Sequence, residues 1–249
     1  MYQPAHHRED RLEVQHALMR AFPLATLVTN GASGLIANHV PFLIDPERSR
    51  LGTLRAHIAR ANPQWRDFDA GEEALVIFQG PERYVTPSWY ETKRQTGKVV
   101  PTWNYAVVHA YGIMRVVDDE AWLRTQIGDL TRSNEAARTA PWAVTDAPKA
   151  FVDAMVRGII GLEIEIARIE GKWKVSQNRP AADREGVVEG LRAEADERVD
   201  AMAELVEAFG AKDKRGRPSN REIAAAMPTG ATSLATPPHR RRPARPATR

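Results

Sequence analysis

The residues best suited to bind a ligand lie between positions 84 and 105, in the segment YVTPSWYETKRQTGKVVPTWNY. Five of them are aromatic and three are cations, with prolines on both sides of the polar part. The aromatic residues are Tyr84, Trp89, Tyr90, Trp103 and Tyr105, and the cations are Lys93, Arg94 and Lys98. Flat aromatic surfaces beside cations and hydroxyls suit a ligand that is part planar ring and part anion, such as a flavin nucleotide. Similar segments also occur at barrel rims and dimer contacts that bind no ligand, so both interpretations stay open.

A second set of candidates follows a predicted strand at 51–58. The phosphate of a flavin mononucleotide needs a cationic side chain, Arg or Lys, together with hydroxyl or backbone hydrogen-bond donors. Arg60 lies in the loop after this strand, just before Asn62-Pro63, and Thr53 and His57 lie on the strand itself. This arrangement predicts that Arg60 binds the phosphate, with Thr53, His57 and Asn62 beside it. The alternatives are a surface arginine over the ring of Trp65 and a purely structural histidine.

Candidates for the isoalloxazine ring come from two segments. Backbone groups of the strand that contains Asn38 and His39 would pair with the pyrimidine edge, and Lys98, Trp103 or Asn104 would flank the ring. A cation near N1 stabilises the anionic reduced flavin and raises its potential, and Lys98 is the candidate for that role. Lys98 is equally compatible with a solvated loop lysine.

The elements that must position these residues are mostly strands. Hydrophobic alternation predicts strands at 51–58, 72–80, 105–117 and 158–169, and a hairpin that turns at Asn30-Gly31. Helical spacing predicts helices at 8–21, 120–138 and 148–157, a short helix near Gln64, and one long helix from Asp183 to Phe209. No regular alternation of strand and helix and no GxGxxG turn is present. We therefore predict an α+β fold, a β-barrel with peripheral helices and a long C-terminal helix, rather than a doubly wound sheet.

Charge divides the 249-residue chain into two parts. Residues 212–249 contain ten of the 35 Lys and Arg and two of the 32 acids, a net charge of +8, which leaves the rest of the chain at −5. We predict a domain over residues 1–210 and a disordered basic tail, rich in Pro, Ala and Arg, over 211–249. Its segment KRGRP resembles an AT-hook, in which arginines enter the minor groove of A·T-rich DNA, so Arg215 and Arg217 are candidate DNA contacts. General attraction to phosphate and simple solubilisation are the alternatives.

The residue content also limits the compartment and the cofactor class. The chain has no cysteine, which excludes disulfides, thiolate zinc sites and iron–sulfur clusters and is consistent with a reducing compartment. The N-terminal MYQPAHHRED lacks the apolar centre of a signal peptide, and no apolar run approaches the roughly 20 residues of a spanning helix. We expect a cytoplasmic protein without a membrane partner, and we predict no metal site.

Several longer motifs carry a resemblance to one family. In chain order they are MYQPAHH, LRAHIARANPQW, LVIFQGPERYVTPSWY, VVPTWNYAVVHAYG and IEGKWKVSQNRP. Together they resemble the PaiB family of FMN-binding negative transcriptional regulators, from Met1 to about Ala208. The resemblance implies a split β-barrel that binds FMN at a homodimer interface and represses genes for sporulation and degradative enzymes. The chain is also similar to the pyridoxamine-phosphate oxidase group, in which an Arg or Lys after the third strand holds the phosphate, and this favours Arg60.

The chain departs from the family in two places. The family opening usually reads His-Phe where this chain has His6-His7, and the tail after about Gly210 lies outside the resemblance. No helix-turn-helix pattern is visible, and the acidic body offers no obvious surface for reading DNA. A small flavin-dependent reductase or oxidase is therefore an alternative, although its general-base candidates, His39 and His109, have no carboxylate at an informative spacing and no catalytic residue is predicted. A haem-binding split-barrel protein that uses His109 is a further alternative.

Overall fold

A computed structural model describes residues 1–194, 197–210, 219–220 and 223. Its strands are β1 (Arg8–Glu9), β2 (Leu24–Gly31), β3 (Gly34–Pro41), β4 (Leu43–Asp45), β5 (Thr53–Ala59), β6 (Glu73–Val85), β7 (Thr102–Val117), β8 (Ile159–Glu165) and β9 (Arg168–Lys174). Its helices are α1 (Leu12–Ala21), α2 (Glu91–Thr96), α3 (Glu120–Glu135), α4 (Lys149–Arg157), α5 (Ala181–Ala193) and α6 (Glu197–Gly210). Short 3₁₀ turns occur at Ala5–His7, Pro63–Trp65, Pro87–Trp89 and Val144–Asp146.

The strands form an antiparallel sheet that curls into a barrel and divides at β7. Its order is β3-β2-β6-β7-β8-β5-β4, and β9 joins β7 to the short strand β1. The first part of β7, Tyr105 to Tyr111, pairs with β9, whereas Met114 to Val117 pair with β8. Strand β3 packs close to β5, which brings the two ends of the sheet together. The predicted α+β fold built on a split barrel is confirmed.

The division of β7 depends on a glycine. Gly112 lies between the part of β7 that pairs with β9 and the part that pairs with β8. A Cβ at this position would stand 2.1 Å from the carbonyl oxygen of Glu165, which is backbone and cannot move aside. The strand can therefore change partners only where no side chain intervenes.

The barrel interior is filled by the inward residues of the strands, as alternation predicts. On β2 these are Ala25, Leu27 and Thr29, and β6 contributes Ala74, Val76 and Phe78 in the same way. Helix α1 adds Val14, Leu18 and Met19, and Trp173 of β9 is fully buried. Helix α3 lies over β5 and β8, where Arg55 of β5 forms an ion pair of 2.9 Å with Asp129.

The prediction of one long C-terminal helix is wrong. Helix α5 ends at Ala193, and α6 starts at Glu197 and packs back against α5 and against β6. Arg192 and Glu207, which a single helix would hold far apart, form an ion pair of 2.7 Å. Each half has its own apolar stripe, with Leu191 on α5 and Leu205 on α6 fully buried. Folding back buries both stripes at once, whereas one straight helix would leave part of them in water.

Two strand boundaries also differ from the prediction. The hairpin is present, but β2 and β3 stay paired up to Gly31 and Gly34, so the turn is at residues 32–33 rather than at Asn30-Gly31. Gly34, directly after the turn, has a positive φ of +88°, as in hairpins where a type I turn is followed by a left-handed residue. The strand predicted at 158–169 is two strands, because the chain leaves β8 after Glu165 and enters β9 at Arg168.

Packed structure continues past residue 210. Ile223 is fully buried in the core, and Asn220 accepts a hydrogen bond of 3.2 Å from Nη1 of Arg11. Most of the predicted disordered tail, including Arg215 and Arg217, lies outside the described residues. Among the helices that are described, none is long and apolar enough to cross a membrane.

Candidate functional site

The structure places Arg60 at the end of β5 and pairs it with a carboxylate. Its Nη1 and Nη2 donate to the two carboxylate oxygens of Asp118 at 2.9 and 2.6 Å, and Nε donates to the carbonyl of Arg157 at 3.2 Å. This bidentate bond raises the pKa of Arg60 and lowers the pKa of Asp118. Arg66, not Arg60, lies over the ring of Trp65, at 4.2 Å. A phosphate at Arg60 would therefore compete with Asp118.

Thr53 and His57 occupy the face of β5 that α3 covers. Thr53 is buried, and its hydroxyl donates to Oγ of Ser49 at 3.2 Å. Nδ1 of His57 is buried without a hydrogen-bond partner in the described part of the chain, and burial lowers the pKa of His57. Gln126 of α3 donates to the carbonyl of Arg55, between them on the strand, at 3.2 Å. The two residues are under a helix, and no hydrogen bond that the structure describes links either of them to Arg60.

Asn38 and Asn62 are joined through a buried glutamine that the sequence did not single out. Oε1 of Gln64 accepts from Nδ2 of Asn38 at 2.9 Å, and its backbone N–H donates to Oδ1 of Asn62 at 3.0 Å. Nε2 of Gln64 donates to Thr29 Oγ1 at 3.1 Å and to the carbonyls of Leu27 and Ile36 at 3.2 Å. These bonds attach the Pro63–Trp65 turn to the β2–β3 hairpin. Since β3 is the last strand at its end of the sheet, backbone groups on its free edge can pair with a ligand.

His39 lies on a broad outward surface of the sheet. It pairs with Thr26, which pairs with Ile77, which pairs with His109, so both histidine candidates share one cross-strand row. Thr26 and Nδ1 of His39 are 3.0 Å apart, and burial lowers the pKa of His109. We call this surface the outer face; its other residues are Leu24, Val28, Asn30, Leu35, Ala37, Pro41, Glu73, Leu75, Tyr111 and Ile113.

The aromatic residues of segment 84–105 do not form a single cluster. Tyr84 and Trp103 face outward as a cross-strand pair, with ring centroids 5.9 Å apart and the Trp103 side chain about half exposed (50%). The indole N–H of Trp103 donates to the carboxylate of Glu82. Tyr90, by contrast, is buried, and Lys98 is exposed just after α2. The predicted flanking residues Lys98 and Trp103 therefore lie at the surface.

Asn104 points away from Trp103 into a small polar cavity. The cavity has a volume of about 60 Å³ and is lined by His7, Thr102, Asn104, Lys174, Ser176, Asn178 and Arg179. We call it the cationic pocket. The amide of buried Asn104 donates to Oγ of Ser176 at 3.0 Å and accepts from the same hydroxyl at 3.2 Å. Ser176 has a positive φ of 62°, which is unfavourable for a residue with a side chain.

Positive charge in the cationic pocket is concentrated and partly buried. Burial, then Lys172 and Arg179, lower the pKa of Lys174. Burial and His6, followed by Lys174 and Lys172, lower the pKa of His7 to about 4, although a contact with Gln177 acts in the opposite direction. His7 is therefore neutral at pH 7, and its Nδ1 is buried without a partner among the described residues.

The described residues include each kind of group that a flavin nucleotide needs. Such a ligand needs a cationic cradle for phosphate, polar backbone groups for the ring edge and an apolar surface against the ring. Arg60 and the cationic pocket supply cations, the free edge of β3 supplies backbone groups, and the outer face supplies apolar surface. Within the described residues, no group of three His, Asp or Glu side chains is arranged to hold a metal ion.

Comparison with known proteins assigns the chain to a family. Residues 1–168 match the family described as "Putative FMN-binding domain". The Bacillus subtilis "Protease synthase and sporulation protein PAI 2" is 31% identical over 207 residues, covering 83% of this chain and 97% of that protein. "Uncharacterized protein AN0679" of Emericella nidulans is 37% identical over 251 residues, 86% of this chain and 100% of that protein. The chain belongs to this FMN-binding family, which confirms the resemblance and the prediction of FMN as cofactor.

A solved structure shows the fold in another protein. The "conserved hypothetical protein Rv2991" of Mycobacterium tuberculosis superimposes with a TM-score of 0.51 at 13% identity, covering 72% of this chain and 94% of that one. At that identity the likeness shows the architecture alone. The predicted site residues stay predictions.

Sequence reasoning missed several polar residues at these sites. The sequence pattern places Gln64 in a short helix, and Lys174, Ser176 and Arg179 occur only within the motif IEGKWKVSQNRP. One signal was present: Lys172 and Lys174 alternate on a strand that leads directly into the polar run SQNR. Two lysines on one face of a strand followed by turn-forming polar residues indicate a cationic site.

Proposed function

We propose that the protein is an FMN-binding homodimer with a regulatory output, and that the flavin lies where the outer faces of two protomers meet. The observation that carries the proposal is the apolar character of the outer face. A solvent-facing side of an antiparallel sheet is normally polar. Here Leu24 and Leu35 are 65% and 78% exposed, and the same face carries Val28, Ala37, Leu75 and Ile77 beside the polar residues Thr26, Asn30 and His39.

The outer face also brings the predicted ring contacts to the proposed interface. His39 lies on it, and Asn38 is the next residue on the same edge strand. Burying this apolar patch against a second copy would favour association, and a flavin ring would be shielded from water between the protomers. Thr53, His57, Arg60 and Asn62 would then serve the cofactor only if Arg60 exchanges Asp118 for the phosphate.

A transcriptional output is proposed from the relative and from the basic tail. The Bacillus subtilis relative is named for protease synthesis and sporulation. From the family resemblance we propose negative regulation of genes for degradative enzymes and sporulation. Direct contact with DNA would use Arg215 and Arg217 in the tail. The protein would act in the cytoplasm.

The dimer is tested by placing a charge on the outer face. Leu35→Asp should convert the dimer to a monomer in sedimentation velocity, because an unpaired carboxylate cannot be buried in an apolar contact. Val100→Asp is the matched control, since Val100 is likewise well exposed (65%, against 78% for Leu35) but lies outside the outer face. Dissociation by both variants, or by neither, would count against this interface.

The DNA contact is tested by point variants of the full chain. Deleting the whole tail would also remove buried Ile223 and disturb the core. Arg215→Ala/Arg217→Ala should abolish the preference for A·T-rich DNA. The control Arg240→Ala/Arg241→Ala should keep that preference, and it should reduce the slope of the logarithm of DNA affinity against the logarithm of salt concentration by about 2. If the two double variants change DNA binding equally, the tail attracts phosphate in general and does not recognise A·T-rich DNA.

The alternative function, a flavin-dependent reductase, is tested by reaction of the bound flavin with a nicotinamide cofactor. Under a regulatory role, NAD(P)H added without oxygen should leave the absorbance of the bound flavin unchanged. Saturable bleaching would favour the oxidoreductase alternative instead.

A further inference from the structure

We propose that the cationic pocket is a binding site for a phosphate group. The pocket lies where the end of β9, the start of β7 and the N-terminal Ala5–His7 turn meet. The residue set predicted to hold phosphate, Thr53, His57, Arg60 and Asn62, does not overlap with it.

The cations at the pocket face no carboxylate in its lining. None of the residues that line the pocket is a carboxylic acid, and Lys172, Lys174 and Arg179 form no ion pair within the described residues. Arg179 instead lies over the ring of Tyr90 at 4.4 Å. The buried carboxylate on α5, Asp183, does not line the pocket; its Oδ1 accepts from the backbone N–H of Thr92 at 2.8 Å, and its Oδ2 has no hydrogen-bond partner within the described residues. Holding several cations together costs free energy that a dianion would recover.

The pocket also supplies hydrogen-bond donors for an anion. Lys174 gives protons to the hydroxyl of Thr102 and the carbonyl of Trp103, and an ammonium group has three protons, so one remains for a ligand. Nδ1 of His7 is buried without a described partner, and the neutral ring can present N–H at that atom. Cationic and neutral donors that converge on one point are the usual means of binding phosphate.

The small size of the pocket and its strained backbone also suit a phosphate group. A volume of about 60 Å³ is far below the roughly 300–1,000 Å³ of pockets that enclose whole ligands, so the pocket suits a compact group rather than a ring system. Ser176, in the turn that closes the pocket, is the one non-glycine residue with a positive φ in the part of the chain that is described. Strained backbone of this kind concentrates at binding sites.

The phosphate can come from two sources with the same chemistry. It can be the 5′-phosphate of FMN, or it can be a free phosphate ion that acts beside the flavin. The pocket geometry is the same in both cases, so the experiment must distinguish them.

Direct binding is measured by titrating full-length protein with inorganic phosphate in a calorimeter, with chloride adjusted to keep ionic strength constant. Wild-type protein should bind saturably. Lys174→Gln and Arg179→Gln should each lower the affinity about tenfold or more, as expected for loss of a charge-assisted bond. The control Lys149→Gln removes an exposed lysine on α4 and should change nothing. No saturable binding to wild-type protein, or equal affinity in all three variants, would overturn the proposal.

A measurement on wild-type protein alone guards against misfolded variants. NMR titration of His7 should show its pKa rising when phosphate is present, because a nearby phosphate anion favours the protonated ring. A pKa that stays near its phosphate-free value would also overturn the proposal.

The source is settled with FMN and riboflavin, which lacks the phosphate. If the pocket holds the flavin phosphate, inorganic phosphate competes with FMN, and Lys174→Gln weakens FMN but not riboflavin. If it holds free phosphate, both ligands bind together and Lys174→Gln leaves FMN affinity unchanged. The phosphate titration does not depend on dimer formation or on DNA binding, so those parts of the proposed function can fail separately.

Discussion

Arg60 and the cationic pocket are two regions that both carry positive charge, and they differ in what faces that charge. Arg60 is held by both oxygens of Asp118 and by the carbonyl of Arg157. In the cationic pocket, Lys174 faces a hydroxyl, a carbonyl and further cations. A cation binds an anionic ligand well only where the fold has not already neutralised it. The comparison therefore favours the pocket over Arg60 as the stronger phosphate site.

The largest change in phosphate affinity should come from removing Lys174 and Arg179 of the cationic pocket together. Lys174→Gln/Arg179→Gln should lower phosphate affinity about a hundredfold, since each cation contributes about tenfold. Arg60→Gln should change the affinity by about twofold or less, because Asp118 already occupies the guanidinium. Calorimetry on the two proteins measures the difference. A larger loss in Arg60→Gln would reverse the comparison.

The architecture of the pocket can be tested through stability. Ser176→Ala keeps the positive φ but leaves the buried amide of Asn104 without the hydroxyl that it both donates to and accepts from. We expect a loss of about 1–3 kcal/mol in the free energy of unfolding, measured with urea. Ser49→Ala, which loses a single bond to Thr53 near β5, is the control and should cost less. Equal losses in the free energy of unfolding would mean that the Asn104–Ser176 hydrogen bonds stabilise the fold no more than the Thr53–Ser49 bond does.

The pH dependence of stability should reveal the buried His7. Its pKa is lowered from 6.5 to about 4 in the folded protein, so the folded state favours the neutral ring. This contribution is complete above pH 6.5 and is lost as pH falls from 6.5 towards 4, because the unfolded chain takes up a proton that the folded protein does not. His7→Gln should therefore reduce the slope of the free energy of unfolding against pH in this window, by an amount that corresponds to at most one bound proton. Parallel unfolding curves for the two proteins would contradict the buried neutral His7.

Other histidines titrate in the same direction and set the background. Burial lowers the pKa values of His16, His57 and His109 as well, so both proteins should still lose some stability in acid. Only the difference between wild type and His7→Gln reports on the pocket.

The smallest effect should come from releasing Arg60. Asp118→Asn removes the carboxylate that neutralises the guanidinium and should raise phosphate affinity at this second position by a few-fold, since the loop is exposed and screened by solvent. The test is a second, weaker binding step in calorimetry. Asp119→Asn alters a neighbouring acid that caps α3 and should leave phosphate binding unchanged. An unchanged single step in Asp118→Asn would show that Arg60 has a structural role only.

The sequence predicts the barrel much better than it predicts the site. Alternation along a strand is local, so β5, β6 and β7 were found within a few residues. The fold-back between α5 and α6 depends on where two apolar stripes are buried, and the helical period does not change there. The partner of Arg60 is 58 positions away in sequence, which no local pattern reports.

The residues of the cationic pocket are also far apart in sequence, so local patterns do not group them into one site. Asn104 was chosen because it lies in an aromatic segment, yet its side chain faces His7 and Ser176, which come from opposite ends of the domain. The family motifs did contain all three residues. What they lacked was the information that β9, β7 and the N-terminal turn meet at one point, which only the strand pairing provides.

The most direct test of the whole account is sedimentation velocity of the FMN-loaded protein, recorded at about 450 nm, where oxidised flavin absorbs. If the flavin is held between two protomers, its absorbance should sediment with the dimer, and dilution that dissociates the dimer should release free FMN. A monomer that keeps its full flavin absorbance would contradict a cofactor site at the homodimer interface.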